Sequence, residues 1–265
     1  MVNAIVITGF GINCEGETGV ALQRAGAKVV RVHVNDLIDA PDKLNDAQIF
    51  AVPGGFSFGD DVASGRILAN RLRHRLAEPL HQFVDDGKLV IGICNGFQVL
   101  VKMGILPLFD GEFRQEVTLT HNDSDRFEDR WVHLGVEPNT RCVWLNGIDR
   151  FDVPVRHGEG KFLVPDDATL KRLESNGQIA LRYLTDDGQP ANGAYPANPN
   201  GSTGDIAGIC DPSGRIFGLM PHPEAFLDAT NHPCWTRLGL TGEGQGLQLF
   251  RNAVAFAEKE LVAAA

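Results

Sequence analysis

The chain has 265 residues and a formal net charge of −10, and 43% of its residues are hydrophobic while 22% are charged. This composition excludes a disordered chain, and the length favours one α/β domain of generous size. The acidic balance argues against a binder of nucleic acid or anionic membranes. The first residues do not have the pattern of a signal peptide, and no apolar run approaches the roughly 18 residues of a membrane span. The five cysteines have neither the spacing of a metal site nor that of a disulfide framework. We therefore expect a cytoplasmic protein.

The first half of the chain alternates short apolar runs with segments of helical periodicity. Strands separated by helical lengths indicate βαβ units and a parallel sheet. One long helical stretch is expected to break near Glu78-Pro79, because a proline disfavours helical backbone in the residue before it. The predicted strands are 4–8, 28–34, 49–52 and 89–93, and the predicted helices are 18–25, 62–86 and 97–103.

The second half has a different pattern, since residues 109–156 are strand-like with short turns. This pattern indicates antiparallel strands added to an open sheet. Residues 187–204 are rich in Gly, Pro and Asn and are predicted to form a loop, whose length makes it a candidate lid or docking surface. The other predicted elements are a helix over 170–176, a strand over 179–183, a hairpin of 206–210 with 215–219, and a closing amphipathic helix over 247–261.

The strongest chemical signal is Gly92-Ile93-Cys94-Asn95-Gly96, between a predicted strand and a predicted helix. This pattern is the cysteine counterpart of the nucleophile elbow, in which a sharp turn presents a nucleophile above the sheet edge. The helix N-terminus also favours a thiolate. A cysteine that only packs in the core is the alternative. Cys94 is thus the candidate nucleophile, and no role is assigned to the remaining cysteines, Cys14, Cys142, Cys210 and Cys234.

A second candidate group follows the last predicted strand as Pro221-His222-Pro223-Glu224. Each proline favours extended backbone in the residue before it, and residues two apart on an extended chain face the same side. The Glu224 carboxylate can therefore orient the His222 imidazole while the imidazole faces a thiol. Nucleophile, base and orienting carboxylate are the parts of covalent acyl-transfer catalysis.

The third feature is Pro53-Gly54-Gly55, directly after the predicted strand 49–52. Ligands of open α/β sheets bind outside the carboxyl ends of the strands, so this turn and the Cys94 elbow can face one crevice. Backbone N–H groups of Gly54 and Gly55, together with that of Asn95, can stabilise a developing oxyanion.

These three motifs, in this order, resemble the class I glutamine amidotransferases, and finer motifs resemble the glutaminase subunits of phosphoribosylformylglycinamidine synthases. The resemblance implies a flavodoxin-like, mainly parallel α/β sheet with flanking helices. It covers a core of about 4–226 within a single domain of 1–265, and the extension 227–265 resembles the tails of long fused synthases only loosely. The finer motifs are Pro53-Gly54-Gly55-Phe56-Ser57-Phe58-Gly59-Asp60, Gly92-Ile93-Cys94-Asn95-Gly96-Phe97-Gln98, His157-Gly158-Glu159-Gly160 and Asn198-Pro199-Asn200-Gly201-Ser202.

The resemblance also implies roles for individual residues. Cys94 would attack the side-chain amide of glutamine, with His222 as base and Glu224 orienting it. The oxyanion would be bound by Gly54, Gly55 and Asn95. Residues that would contact the rest of the glutamine are Gln98, one helical turn after Cys94, and His157, Gly158 and Glu159.

The same resemblance implies partners rather than cofactors in this chain. The sequence contains no G-x-x-x-x-G-K-[ST] phosphate loop, and no metal is expected. ATP and Mg²⁺ are expected on a large synthetase subunit that receives the ammonia and converts formylglycinamide ribonucleotide to the amidine. A small bridging subunit is expected as well.

Two other readings use the same residues. A γ-glutamyl hydrolase or peptidase of the same superfamily would employ the same elbow, although Asn95 and the 198–202 motif argue against it. A flavodoxin-like binding or redox-sensing protein would need a reactive Cys94 but no pairing of His222 with Glu224.

Overall fold

The computed structural model describes residues 1–263, and its main element is a nine-stranded mixed sheet. The strands are β1 (Asn3–Thr8), β2 (Lys28–His33), β3 (Ile49–Val52), β4 (Leu89–Ile93), β5 (Thr118–Thr120), β6 (Glu128–Val136), β7 (Arg150–His157), β8 (Lys161–Leu163), β9 (Ile179–Leu184), β10 (Ile206–Cys210) and β11 (Ile216–Leu219). The helices are α1 (Glu15–Arg24), α2 (Val34–Asp39), α3 (Arg66–Asp85), α4 (Asn95–Met103), α5 (Asp167–Ser175), α6 (Trp235–Leu238) and α7 (Leu247–Ala257).

The sheet has a parallel half and an antiparallel half. Its order is β2-β1-β3-β4-β11-β10-β9-β6-β7, and the pairs from β2 to β11 are parallel while the rest are antiparallel. Strands β5 and β8 form a separate two-stranded sheet. The predicted α/β fold, an open and mainly parallel sheet extended by an antiparallel section, is confirmed.

The central strands are buried on both faces. Every residue of β3, β4 and β11 is buried, as expected for parallel strands covered by helices on either side. Helix α1 packs against α7, and α3 packs against α4. The carboxyl ends of β1, β3, β4 and β11 therefore meet at one edge of a rigid layer.

The predicted end of strand β2 is wrong, whereas the predicted break in the long helix is present. Strand β2 ends at His33, and Val34 begins helix α2 instead of ending the strand; the His33 ring accepts a hydrogen bond from the Asn35 N–H and caps that helix. Helix α3 is interrupted near Pro79 as predicted, by a kink at Leu76, with φ −130° and ψ 15°. The distortion precedes the proline because its ring clashes with the carbonyl one turn earlier.

The 187–204 segment is a loop with a fixed interior. The Asp205 carboxylate accepts hydrogen bonds from the N–H groups of Asn192 and Gly193 at 2.7 and 2.8 Å, and from the Asn198 side chain at 2.8 Å. Asn198 and Asn200 are buried. This bonding gives the loop one shape and argues against a hinged lid.

The C-terminal residues pack against the core. Gly246 donates to the Phe226 carbonyl at 3.0 Å, and a Cβ at position 246 would lie 1.9 Å from the Pro223 carbonyl oxygen. The Gln245 side chain accepts from the Asp152 N–H at 2.7 Å. This part of the chain thus supports the backbone next to Glu224.

Candidate active site

Cys94 lies at a strained turn between β4 and α4. Its φ of 51° and ψ of −107° are unfavourable for any residue with a side chain and indicate a functional position. Gly96 permits the turn, because a Cβ there would lie 1.8 Å from the Val52 carbonyl oxygen. The Cys94 N–H donates to the Leu219 carbonyl at 2.8 Å, which ties the elbow to the end of β11.

His222 and Glu224 reach the same edge from the end of β11. The His222 Nδ1 and Glu224 Oε1 atoms are 2.7 Å apart, and the two residues are 2% and 3% exposed. The predicted pairing is present, but the extended geometry predicted for it is wrong. Pro223–Ala225 form a 3-10 turn, which brings the carboxylate back to the ring.

The electrostatic environment of His222 favours the imidazolium form. Burial alone would lower the pKa of His222, but the Glu224 carboxylate and the Cys94 thiolate raise it well above its ordinary value. Within residues 1–263, the buried Nε2 atom of His222 has no hydrogen-bond partner. Since Glu224 occupies Nδ1, Nε2 is the atom available for proton exchange in the crevice.

The glycine turn after β3 lies against both groups. A Cβ at position 54 would lie 2.9 Å from His222 Cε1 and 3.5 Å from Cys94 Cβ. The Gly54 carbonyl accepts from the N–H groups of Asn13 and Cys14, each at 3.2 Å. Within the described residues neither Gly54 nor Gly55 donates its N–H to a partner, so both remain available to an oxyanion.

Asn95 presents its backbone to the crevice and uses its side chain for support. As the first residue of α4, it has an N–H without an intrahelical acceptor. Its Oδ1 accepts from the Ser57 N–H at 3.2 Å, and its Nδ2 donates to Gln98 Oε1 at 2.9 Å. The side chain therefore links the elbow to the segment that follows the glycine turn.

The residues predicted to contact glutamine divide into two groups. Gln98 donates to the Glu159 carbonyl at 2.7 Å, and Glu159 lines a cavity of about 530 Å³ together with Arg66 and Lys102. Position 158 is open, since a Cβ there would meet nothing within 4 Å. Glu159 therefore borders space that a substrate can enter and position 158 is unobstructed, whereas Gln98 is itself buried.

His157, in contrast, belongs to a buried polar network. Its Nδ1 lies 3.1 Å from Asn122 Oδ1 and its Nε2 lies 3.5 Å from Asn200 Nδ2. Burial lowers the pKa of His157 to about 3, so the ring is neutral at physiological pH. The structure places it where it can hold the 157–160 segment rather than touch a ligand.

Sequence reasoning missed Cys14. Its Sγ would lie 3.2 Å from a Cβ at position 54, and one ligand atom each of Cys14, His222 and Glu224 lie within 4.8 Å of one another. Cys14 follows the carboxyl end of β1, the edge where ligands of such sheets bind. The place of Cys14 shortly after a predicted strand was therefore the sequence feature that could have indicated its nearness to the site.

The arrangement is suited to acyl transfer through a thioester, because a nucleophile, a base and an orienting carboxylate converge beside free N–H groups. A family model for the CobB/CobQ-like glutamine amidotransferase domain matches residues 1–257. The phosphoribosylformylglycinamidine synthase subunit PurQ of Dehalococcoides mccartyi is 48% identical over 97% of this chain and 98% of its own length. The chain belongs to the PurQ family of glutamine amidotransferases.

Other PurQ-family comparisons agree. The PurQ subunit of Methanococcus maripaludis is 44% identical over 96% of this chain and 97% of its own length. A chain of the Thermotoga maritima PurLQS structure superposes with a TM-score of 0.72 at 29% identity, covering 96% of this chain and 98% of that one. These three alignments cover 96 or 97% of this chain and therefore extend beyond residue 226. Across residues 1–263, each helix is too short or too polar to cross a membrane.

Proposed function

We propose that this chain is the glutaminase subunit of a phosphoribosylformylglycinamidine synthase, acting in the cytoplasm during purine biosynthesis. It hydrolyses glutamine to glutamate and ammonia. The observation that carries the proposal is the buried Cys94–His222–Glu224 arrangement at the sheet edge in a chain of the PurQ family. The PurQ names argue against the γ-glutamyl hydrolase reading, and the buried pairing of His222 with Glu224 argues against the redox-sensing one.

In this mechanism the Cys94 thiolate attacks the side-chain amide carbon of glutamine. The oxyanion that forms accepts hydrogen bonds from the N–H groups of Gly54, Gly55 and Asn95. His222 then gives its proton to the departing nitrogen, leaving a γ-glutamyl thioester and ammonia. Neutral His222 then takes a proton from water, whose oxygen attacks the thioester carbon; the C–S bond breaks, which releases glutamate and restores the Cys94 thiolate and protonated His222. Losing one such oxyanion donor typically costs about 10²–10³ in rate.

The ammonia passes to a synthetase partner. Free ammonia in neutral water is mostly protonated and cannot act as a nucleophile, which favours direct transfer within a complex. The similarity to a chain of the Thermotoga maritima PurLQS structure supports a large synthetase and a small third subunit as partners. ATP and Mg²⁺ belong to the synthetase, where the formylglycinamide ribonucleotide is activated.

An exposed aromatic surface supports docking beside the crevice. Phe56, directly after the glycine turn, and Phe127 are 45% and 52% exposed, and their ring centroids are 6.2 Å apart. Tyr195, on the 187–204 loop, is 60% exposed. Neighbouring exposed aromatic rings such as those of Phe56 and Phe127 are typical of interaction surfaces.

The test is reconstitution with the synthetase and its third subunit. Cys94→Ala is expected to abolish amidine formation with glutamine and to leave formation with ammonium chloride within about twofold of wild type, because only ammonia production needs the thiolate. Product is measured with each nitrogen source in turn. Equal loss with both sources would contradict the proposal.

A further inference from the structure

A group of metal-ligand atoms lies in the crevice although the sequence shows no metal spacing. Cys14, His222 and Glu224 each place one ligand atom within 4.8 Å of the others. They come from the ends of two strands, β1 and β11, and are separated by about two hundred residues of sequence. No spacing motif could have revealed this cluster.

The ligand set is suited to a borderline-soft cation. The Nε2 atom of His222 is buried and, within residues 1–263, unpartnered, and the His222 ring surrounds the space at Gly54 together with Cys14 and Cys94. Thiolate sulfur and imidazole nitrogen are the preferred ligands of zinc. Oxygen-binding cations such as Mg²⁺ find only one carboxylate here, and its Oε1 already binds Nδ1.

Glu224 orients the imidazole for metal binding as well as for catalysis. Metal-bound histidines usually donate their second ring N–H to a carboxylate, which fixes the tautomer and strengthens the ligand. The 2.7 Å contact between His222 Nδ1 and Glu224 Oε1 has this form. Nε2 is thereby left to face the two sulfur atoms.

The glycine at position 54 leaves the space in which the ligands converge. A Cβ there would lie 2.9 Å from His222 Cε1, 3.2 Å from Cys14 Sγ and 3.5 Å from Cys94 Cβ. Zinc bonds sulfur at about 2.3 Å and imidazole nitrogen at about 2.0 Å. The three side chains thus border one space, and the Cys14 and Cys94 sulfur atoms, now turned toward Asn13 Oδ1 and the Arg156 carbonyl, would rotate into it to bind an ion.

We propose that Cys14, His222 and Cys94 form an inhibitory Zn²⁺ site, in which Cys14 is the ligand not needed for glutamine hydrolysis. The fourth position is left to water. A bound ion holds the Cys94 sulfur and the His222 nitrogen, so glutamine cannot form the thioester. Binding displaces the protons of these ligands, and it is reversed by a chelator.

Direct binding is measured on the full chain under reducing conditions, using Zn²⁺ alone and Co²⁺ alone as probes. Wild type is expected to bind one equivalent of either metal tightly, and the Co²⁺ form is expected to show a thiolate-to-cobalt charge-transfer band. Cys14→Ser is expected to weaken binding at least about tenfold, in line with the loss of one metal ligand. Cys234→Ser is the matched control, since Cys234 is also half-buried, and should bind as wild type does.

Two results of this titration would overturn the proposal. One is equal affinity in Cys14→Ser and wild type. The other is loss of tight Zn²⁺ binding in Cys142→Ser while Cys14→Ser binds as wild type does. That result would place the ion at the buried Cys142 and Cys210 instead.

Inhibition rests on the proposed function, whereas metal binding does not. Glutamine hydrolysis by the assembled enzyme is measured with and without Zn²⁺, each variant relative to its own metal-free rate. Zn²⁺ is expected to inhibit wild type and Cys234→Ser at least about tenfold more than Cys14→Ser. Equal inhibition of all three would contradict the inhibitory role. Absence of hydrolysis in metal-free wild type would instead contradict the proposed function.

Discussion

His222 and His157 show how one residue type acquires opposite properties from its surroundings. Both rings are buried. His222 faces a carboxylate and two thiols, and its pKa is raised despite burial. His157 has only neutral amide partners, Asn122 and Asn200, so burial lowers its pKa to about 3. A charged neighbour, rather than burial, decides which ring carries a proton.

The neutral His157 predicts a specific pH dependence of stability. In the unfolded chain its pKa is about 6.5, so between pH 6.5 and about 3 only the unfolded state binds the proton. Stability contributed by His157 is therefore complete above pH 6.5 and is lost as the pH falls. Between pH 7 and 5, wild type should lose about 2 kcal/mol more free energy of unfolding than His157→Gln.

Urea denaturation of both proteins at several pH values in this range measures the difference. Other titrating groups contribute equally to the two curves and cancel in the comparison. Parallel curves for wild type and His157→Gln would show that His157 is protonated in the folded protein.

At the scale of elements, the strand-to-helix turn around Cys94 is set by close backbone approach. The helix α4 can begin directly after β4 only because position 96 has no side chain, given the 1.8 Å that would separate a Cβ from the Val52 carbonyl oxygen. Backbone atoms cannot move aside as a flexible side chain can. The elbow thus requires glycine at position 96, where alanine would add a methyl group.

Gly96→Ala is accordingly expected to destabilise the fold by about 1–3 kcal/mol or more. Gly16→Ala is the matched control, because position 16 lies in helix α1 and a Cβ there would meet nothing within 4 Å. That variant should be as stable as wild type or more stable by up to about 1 kcal/mol. Thermal and urea unfolding followed by circular dichroism compare the two, and equal stabilities would refute the argument.

At the scale of the whole molecule, the C-terminal segment is part of the core. Helix α7 packs against α1, and its buried side chains are Leu247, Leu249, Phe250, Ala253, Val254 and Ala257. The helix that follows β1 is thus packed against a helix from the far end of the chain. Division into a core of 4–226 and an extension of 227–265 stays a prediction, but the packing does not follow that boundary.

Truncation of Phe250, which is fully buried, tests this packing. Phe250→Ala is expected to lower the free energy of unfolding by about 3–5 kcal/mol, because a large cavity is left in the core. Gln248→Ala, at an exposed position of the same helix, should change it by less than about 0.5 kcal/mol. Equal small effects, measured by urea denaturation, would mean that α7 is not integral to the folded domain.

The sequence by itself determined the alternation of strands and helices, the elbow around Cys94 and the proximity of His222 to Glu224, although not the 3-10 turn that brings the carboxylate to the ring. These features depend on side-chain periodicity, proline and glycine geometry and residues close together in the chain. Tertiary structure alone decided that Cys14 lies beside Cys94, that His157 is enclosed by Asn122 and Asn200, and that α7 covers α1. The physical reason is that such contacts follow from the order of strands in the sheet, and local sequence patterns carry little information about that order.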